Sequence, residues 1–335
     1  MTSPEHEHTL SVVVPVYRGA ATLDALIAEL APLVEPFRTP AGHSARIDEV
    51  LLVHDCGPDD SDVVMRRLAA SHDWVRLVWL SRNFGQHAAT LAGMASSGGD
   101  WVATLDEDGQ HDPADLGAML DRALSERADV VYAAPLNPPP HGFLRNLASR
   151  QAKWSLRWLT GTPQARSFNS YRLVLGEVAR SVAAYAGSGV YLDVALGWVA
   201  RRVRTCPVRL RPEGDRRSGY RPRTLLSHYW RMVLTGGTRL LRTVSLLGFL
   251  LAAAGLGLAV AIVWMRLEDD IEVPGWTSLA VVSLLSSGFI LFALGVVAEY
   301  IGVAVNMAMG KPLYVIVGDG RDGPLGPGPD ETDQP

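Results

Sequence analysis

Short apolar runs alternate with helically spaced ones along the first part of the chain. Residues 10–17 are rich in β-branched side chains and predict a strand. Arg18 and Gly19 break that run, and residues 20–33 then place Leu23, Leu26, Ile27 and Leu30 at helical spacing. Further strands are predicted over residues 47–53, 75–80, 101–105 and 128–133, and further helices over 61–71, 85–95 and 115–127. Strands alternating with helices imply an α/β class, with a parallel-type sheet covered on both faces. No internal repeat is visible.

The pattern changes towards the end. Residues 244–265 are 22 positions without a charge, and residues 276–298 are 23 more. Each run is long enough to cross about 30 Å of hydrocarbon as a helix; a buried hairpin of helices in a soluble protein is the competing reading. The loop between them, residues 266–272, is acidic on balance, and Arg221, Arg223, Arg231, Arg239 and Arg242 precede the first run. The positive-inside bias then puts both flanks, and the N-terminal domain, in the cytoplasm. The expected organisation is a polar tail (1–9), an α/β domain (10–223), a juxtamembrane amphipathic segment (224–243), a two-helix transmembrane region (244–310) and a cytoplasmic tail (311–335). That tail is rich in Gly, Pro and Asp and predicted disordered from Gly318 onward. Residues 1–9 are polar, so no secretory signal is expected.

Composition adds two exclusions. A net charge of −4 gives no general affinity for nucleic acid. Two cysteines, Cys56 and Cys206, make no disulfide framework and suit a reducing compartment.

The chemistry is concentrated in residues 104–113, TLDEDGQHDP. Asp106 and Asp108 stand two apart at the carboxyl end of a predicted strand, the edge where ligands bind in open α/β sheets. Two carboxylates so close repel unless a positive charge lies between them, and a hard divalent cation bridging phosphate oxygens would serve. Gln110 offers a third oxygen. An EF-hand is excluded, because its sixth position would be His111 and its twelfth Gly117. A solvated acidic turn remains an equal alternative on these residues alone. No GxGxxG follows the first strand and no GxxxxGK[ST] occurs, so neither nucleotide fingerprint applies. Residues 142–159 carry Arg145, Arg150, Lys153 and Arg157 with Trp154 and Trp158; they read either as a solvated helix face or as a helix on an anionic membrane or acceptor.

Several segments together resemble the family 2 glycosyltransferases of GT-A fold, in particular the polyprenyl-phosphate glycosyltransferases with two C-terminal membrane helices. VPVY at residues 14–17 looks like the opening VPxYNE strand, which implies that Pro15 and Tyr17 line the nucleotide. VHDCGPD at 53–59 looks like the VDDGSxD turn and gives Asp55 the base-reading role. SRNFG at 81–85 is similar to RNxG, and LDEDGQ at 105–110 to DADLQ. The resemblance thus implies nucleotide and metal roles for Asp106, and metal roles for Asp108 and Gln110. It also implies an acceptor-phosphate pair in Arg145 and Ser149, and diphosphate contacts from Arg217, Ser218 and Tyr220. NSYRL at 169–173 resembles GDFRL, which points to Arg172 as catalytic, but Ser170 stands where the family has an acid. Arg18-Gly19, His54, Pro135 and Arg216 are further departures.

The resemblance implies inverting transfer of a sugar from a UDP- or GDP-sugar to a polyprenyl phosphate, with Mg²⁺ or Mn²⁺ as cofactor and the bilayer as partner. Transfer to another lipid or lipid-linked glycan is the alternative; a processive synthase or a non-enzymatic adaptor are more distant ones. Asp193 is read either as a base or orienting group, or as a polar residue at a helix start. The membrane helices also offer faces for a homo-oligomer.

Overall fold

The structure, a computed structural model, describes residues 6–136, 168–187, 190–211, 230, 239–267, 275–310 and 312–321. Its centre is β1 (His8–Val16), buried continuously from Leu10 to Val16. Such a strand needs partners on both sides and cover on both faces. It pairs in parallel with β3 (Ser44–His54) on one side and with β5 (Trp101–Thr104) on the other. The nine-stranded sheet continues outward through β4 (Val75–Leu80) and through β7 (Arg172–Leu175), β6 (Val130–Pro135) and β8 (Val203–Val208). The predicted parallel reading holds for β1, β3, β4 and β5. The sheet as a whole is mixed, because β7 runs antiparallel between β5 and β6, and the short β2 (Phe37–Arg38) is antiparallel to β3.

Alternate β1 residues feed two cores. Val12, Val14 and Val16 face α1 (Leu23–Leu30), α2 (Ser61–Ser71) and α4 (Leu116–Glu126). Val13 faces α3 (Gln86–Ser96), α5 (Gly176–Tyr185) and α6 (Leu192–Val199). The small residues of α3 have a steric reason: a Cβ on Gly93 would come within 2.3 Å of Val13 Cγ1. The helix therefore lies directly on β1, with its N-terminus at the carboxyl edge of the strands.

Two long helices follow, α7 (Arg239–Leu267) and α8 (Trp276–Ala308). Both are apolar all round and pack on each other, with Phe249 and Leu285 each 70% exposed. Both are long and apolar enough to cross a membrane. The predicted acidic loop 268–272 lies outside the described residues.

The chain then returns to the sheet. Leu313 and Tyr314 pack against the α3-side core, the Ser81 amide donates to the Val315 carbonyl at 3.0 Å, and β9 (Ile316–Val317) adds antiparallel to β4. Asp319 accepts two hydrogen bonds from Arg66, Nε at 2.6 Å and Nη2 at 2.7 Å, while that guanidinium lies 4.7 Å from the Trp79 ring centroid. The disorder predicted from Gly318 onward is thus corrected for Gly318–Arg321: a bidentate ion pair beside an aromatic ring fixes the segment. Arg66 holds the Asp319 carboxyl below its usual range. Its stabilisation is therefore present above the ordinary carboxylate pKa and lost as pH falls through the depressed folded value. Asp319→Ala should cost about 1 kcal/mol in unfolding of the detergent-solubilised protein near neutral pH, a modest value because both side chains keep some solvent. The difference from wild type should begin to shrink below about pH 4 and vanish only once the pH is below the depressed folded value.

Candidate functional site

The parallel strands deliver their last residues to one edge, where a cleft of about 480 Å³ opens. Asp55 follows β3 and is buried, with its amide donating to the Val16 carbonyl at 2.8 Å. Its carboxylate accepts from the Phe84 and Gly85 amides at 2.7 and 2.8 Å. Burial nevertheless pushes its carboxyl above the usual range, against the pull of the two donors. Gly85, at φ +92°, turns its amide towards Asp55 just before α3 begins.

The turn after β3 crosses the end of β1 at closest approach. A Cβ on Gly57 would sit 1.6 Å from the Tyr17 carbonyl oxygen. Below that crossing, the Tyr17 and Arg18 amides donate to Glu107 Oε2 and Oε1, both at 2.9 Å. The Gly19 amide donates to Ser61 Oγ and the Ala20 amide to Asp59 Oδ2. The turn with Arg18-Gly19, where the family usually has Asn-Glu, is therefore held by backbone amides. Glu107 has no assigned role in the sequence pattern, because the amides it binds belong to the distant end of β1.

Asp106 is clamped. Its Oδ1 accepts from Gln86 Nε2 and its Oδ2 from Ser170 Oγ, each at 2.5 Å. Its amide donates to Nδ1 of His111, a buried ring stacked on Tyr171. Ser170, in the place of the expected acid, thus orients an acid instead. Asp108 Oδ1 accepts from the Gln110 amide at 3.0 Å, and Gly109 makes the turn at φ +74°. Asp106, Asp108 and Gln110 all line the cleft, together with Pro15, Tyr17 and Asp55. Four carboxylates, counting Glu107, line it without a lysine or arginine among the described residues. This oxygen-donor set fits a hard divalent cation.

Arg172 and Asp193 lie elsewhere. Arg172 sits in β7 opposite Thr104 and Tyr132. Its Nη1 donates to Asp193 Oδ1 at 2.6 Å, and the Tyr132 hydroxyl donates to the same oxygen at 2.9 Å. Both charges are buried, and neither lines the cleft. Burial pushes the Asp193 carboxyl up, while Arg172 and Tyr132 act in the opposite direction. The structure thus brings together six of the predicted site residues and leaves this pair behind the sheet edge. Arg145, Ser149, Arg217, Ser218 and Tyr220 lie outside the described residues.

Residues 11–183, just over half of the chain, match the family described as glycosyl transferase family 2, and the chain belongs to it. It is a glycosyltransferase with the mixed GT-A sheet described above. Among its relatives, an uncharacterised glycosyltransferase of Bacillus subtilis, YkcC, is 26% identical over 91% of this chain and 92% of its own length. The undecaprenyl-phosphate 4-deoxy-4-formamido-L-arabinose transferase of Salmonella choleraesuis is 28% identical, with 92% of each chain covered. Glucosyl-3-phosphoglycerate synthase from Mycobacterium tuberculosis overlaps 69% of this chain and 79% of its own at a TM-score of 0.47 and 19% identity.

The crossing at Gly57 leads to a test of the site's frame. Gly57→Ala should destabilise the protein by about 2–4 kcal/mol, since backbone must move to admit the methyl. Gly98→Ala, whose added Cβ meets only Glu49 Oε1 at an ordinary 3.6 Å, should cost far less. Thermal unfolding of the two variants side by side is the measurement.

Proposed function

We propose that the protein transfers a sugar, with inversion, from a nucleoside diphosphate sugar to a polyprenyl phosphate in the membrane. The observation that carries this reading is an acidic cleft at the strand ends of a domain tied, through β9, to two apolar helices. A doubly charged diphosphate would be repelled by four carboxylates unless a cation intervened. Asp106, Asp108 and Gln110 would hold that cation, Mg²⁺ or Mn²⁺. When bound, it offsets the negative charge that develops on the leaving diphosphate.

The chain's own groups do the rest. Gln86 and Ser170 fix both oxygens of Asp106, so the first carboxylate needs no reorganisation when the donor arrives. Pro15, Tyr17 and Asp55, which all line the cleft, would form the wall for the nucleotide. Arg217, Ser218 and Tyr220 would contact the diphosphate, and Arg145 and Ser149 the acceptor phosphate. A phosphate monoester, with its second pKa near ~6, is largely dianionic at neutral pH and attacks without giving up a proton. A base in the cleft is therefore not required, which agrees with Asp193 being engaged by Arg172 and Tyr132.

The membrane arrangement has its own support. A chain that enters the sheet before α7 and re-enters it after α8 must cross the bilayer an even number of times. Arg239 and Arg242 at the start of α7 favour the cytoplasm for that shared side.

Asp108→Asn should keep the fold and lower transfer at least about 100-fold, as should EDTA on the wild type. The assay is labelled sugar transfer to a polyprenyl phosphate in detergent. Undiminished activity of the variant in EDTA would remove the metal from the mechanism. For topology, a cysteine replacing Asp269 in a variant lacking Cys56 and Cys206 should react with an impermeant maleimide in intact cells. One replacing Asp330 should react only after lysis. The reverse pattern would invert the assignment.

A further inference from the structure

We propose that His6, His8 and Asp100 form a second divalent-cation site, of transition-metal type, on the sheet edge opposite the cleft. The three residues meet where β1 and β5 begin, and one ligand atom from each lies within 4.8 Å of the others. His6 and His8 are two apart on an extended segment, so their side chains share a face. Their rings stand edge to face with centroids 4.7 Å apart, and His6 Nε2 is 3.5 Å from Asp100 Oδ2.

Two of the three groups are already positioned. The Thr9 amide donates to Asp100 Oδ2 at 3.0 Å, and the Asp100 amide donates back to Thr9 Oγ1 at 3.0 Å. This reciprocal pair locks the carboxylate against the start of β1. His8 is the first residue of that strand and is half-buried. Only His6, whose side chain is 70% exposed, must move. Four-coordinate binding at about 2.1 Å places ligand atoms roughly 3.4 Å apart, and rotation of an exposed imidazole covers the difference.

The donor set decides the metal. Two imidazole nitrogens and one carboxylate suit Zn²⁺, Co²⁺, Ni²⁺ or Cu²⁺, with water completing the shell. The cleft, with oxygen donors alone, suits Mg²⁺ or Mn²⁺. The chain would therefore hold two cations of different chemistry at opposite edges of one sheet. The outer one would staple the residues ahead of β1 to β5. This inference does not depend on the sugar-transfer reading.

The test is a Co²⁺ titration of full-length protein in detergent, any histidine tag removed, followed by visible absorption. Asp108→Asn protein serves as the background, so that the cleft does not report. The site predicts intense d–d bands of four-coordinate cobalt at one equivalent, displaced by Zn²⁺ but not by Mg²⁺. Adding His6→Ala should weaken binding by about tenfold or more and abolish the few-degree rise in melting temperature that Zn²⁺ gives. His6→Ala alone should leave Mg²⁺-supported transfer unchanged, since the residue lies far from the cleft. Equal cobalt affinity with and without His6, or bands that vanish in the Asp108→Asn background alone, would overturn the proposal. So would six-coordinate, weak spectra throughout, which would leave His6 and Asp100 as an ordinary surface ion pair.

Discussion

The burial of β1 on both faces sets the direction of everything around it. A strand with no solvent face takes strands on both sides and helices above and below, and its immediate neighbours here are parallel. Parallel neighbours end at the same edge, so Tyr17, Asp55 and Asp106 emerge together although they are far apart in the chain. The close packing of α3, permitted by Gly93, brings Phe84, Gly85 and Gln86 to that edge as well. The cleft is a consequence of the topology before it is a consequence of any one residue.

That edge gathers acid rather than spreading it. Glu107 is spent on two backbone amides and Asp55 on two more, so two of the four carboxylates hold the backbone in place. Asp106 and Asp108 remain as the pair whose repulsion a cation would relieve. Ser170 matters here because a neutral hydroxyl, unlike a further carboxylate, adds a donor to Asp106 without adding charge. The departure at Ser170 therefore lowers the electrostatic cost of the cleft.

Much of this frame was legible in the sequence. The helix at Ser61–Ser71 and the strand at Val75–Leu80 were predicted at the bounds observed, because each has one strong periodicity. Asp55 and Asp106 could be placed at strand ends for the same reason. β7 and β8 were missed. β7 offers only Leu173–Leu175 as an apolar run before a helix begins at Gly176, and β8 carries Arg204, Thr205 and Pro207 at an outer position, so neither presents an apolar run of useful length. β9 has two residues, and its partner is more than two hundred positions away. Glu107 and Arg66 were unreadable because their partners, Tyr17 and Asp319, are neighbours only after folding.

The Arg172–Asp193 pair is the remaining charge to account for. Burying two ions costs more than their attraction returns unless further hydrogen bonds are made, and Tyr132 supplies one here. Arg172 stands opposite Thr104, whose hydroxyl donates to the Ser170 carbonyl, and Ser170 in turn holds Asp106. The buried pair therefore stiffens the strand that delivers the clamp on Asp106. An alcohol acceptor would need a base in contact with it, and Asp193, two per cent exposed and sharing one oxygen between two donors, is not placed for that work. A phosphate acceptor removes the need for it. The position of this carboxylate thus favours an acceptor that arrives already ionised over one that must be deprotonated in the cleft.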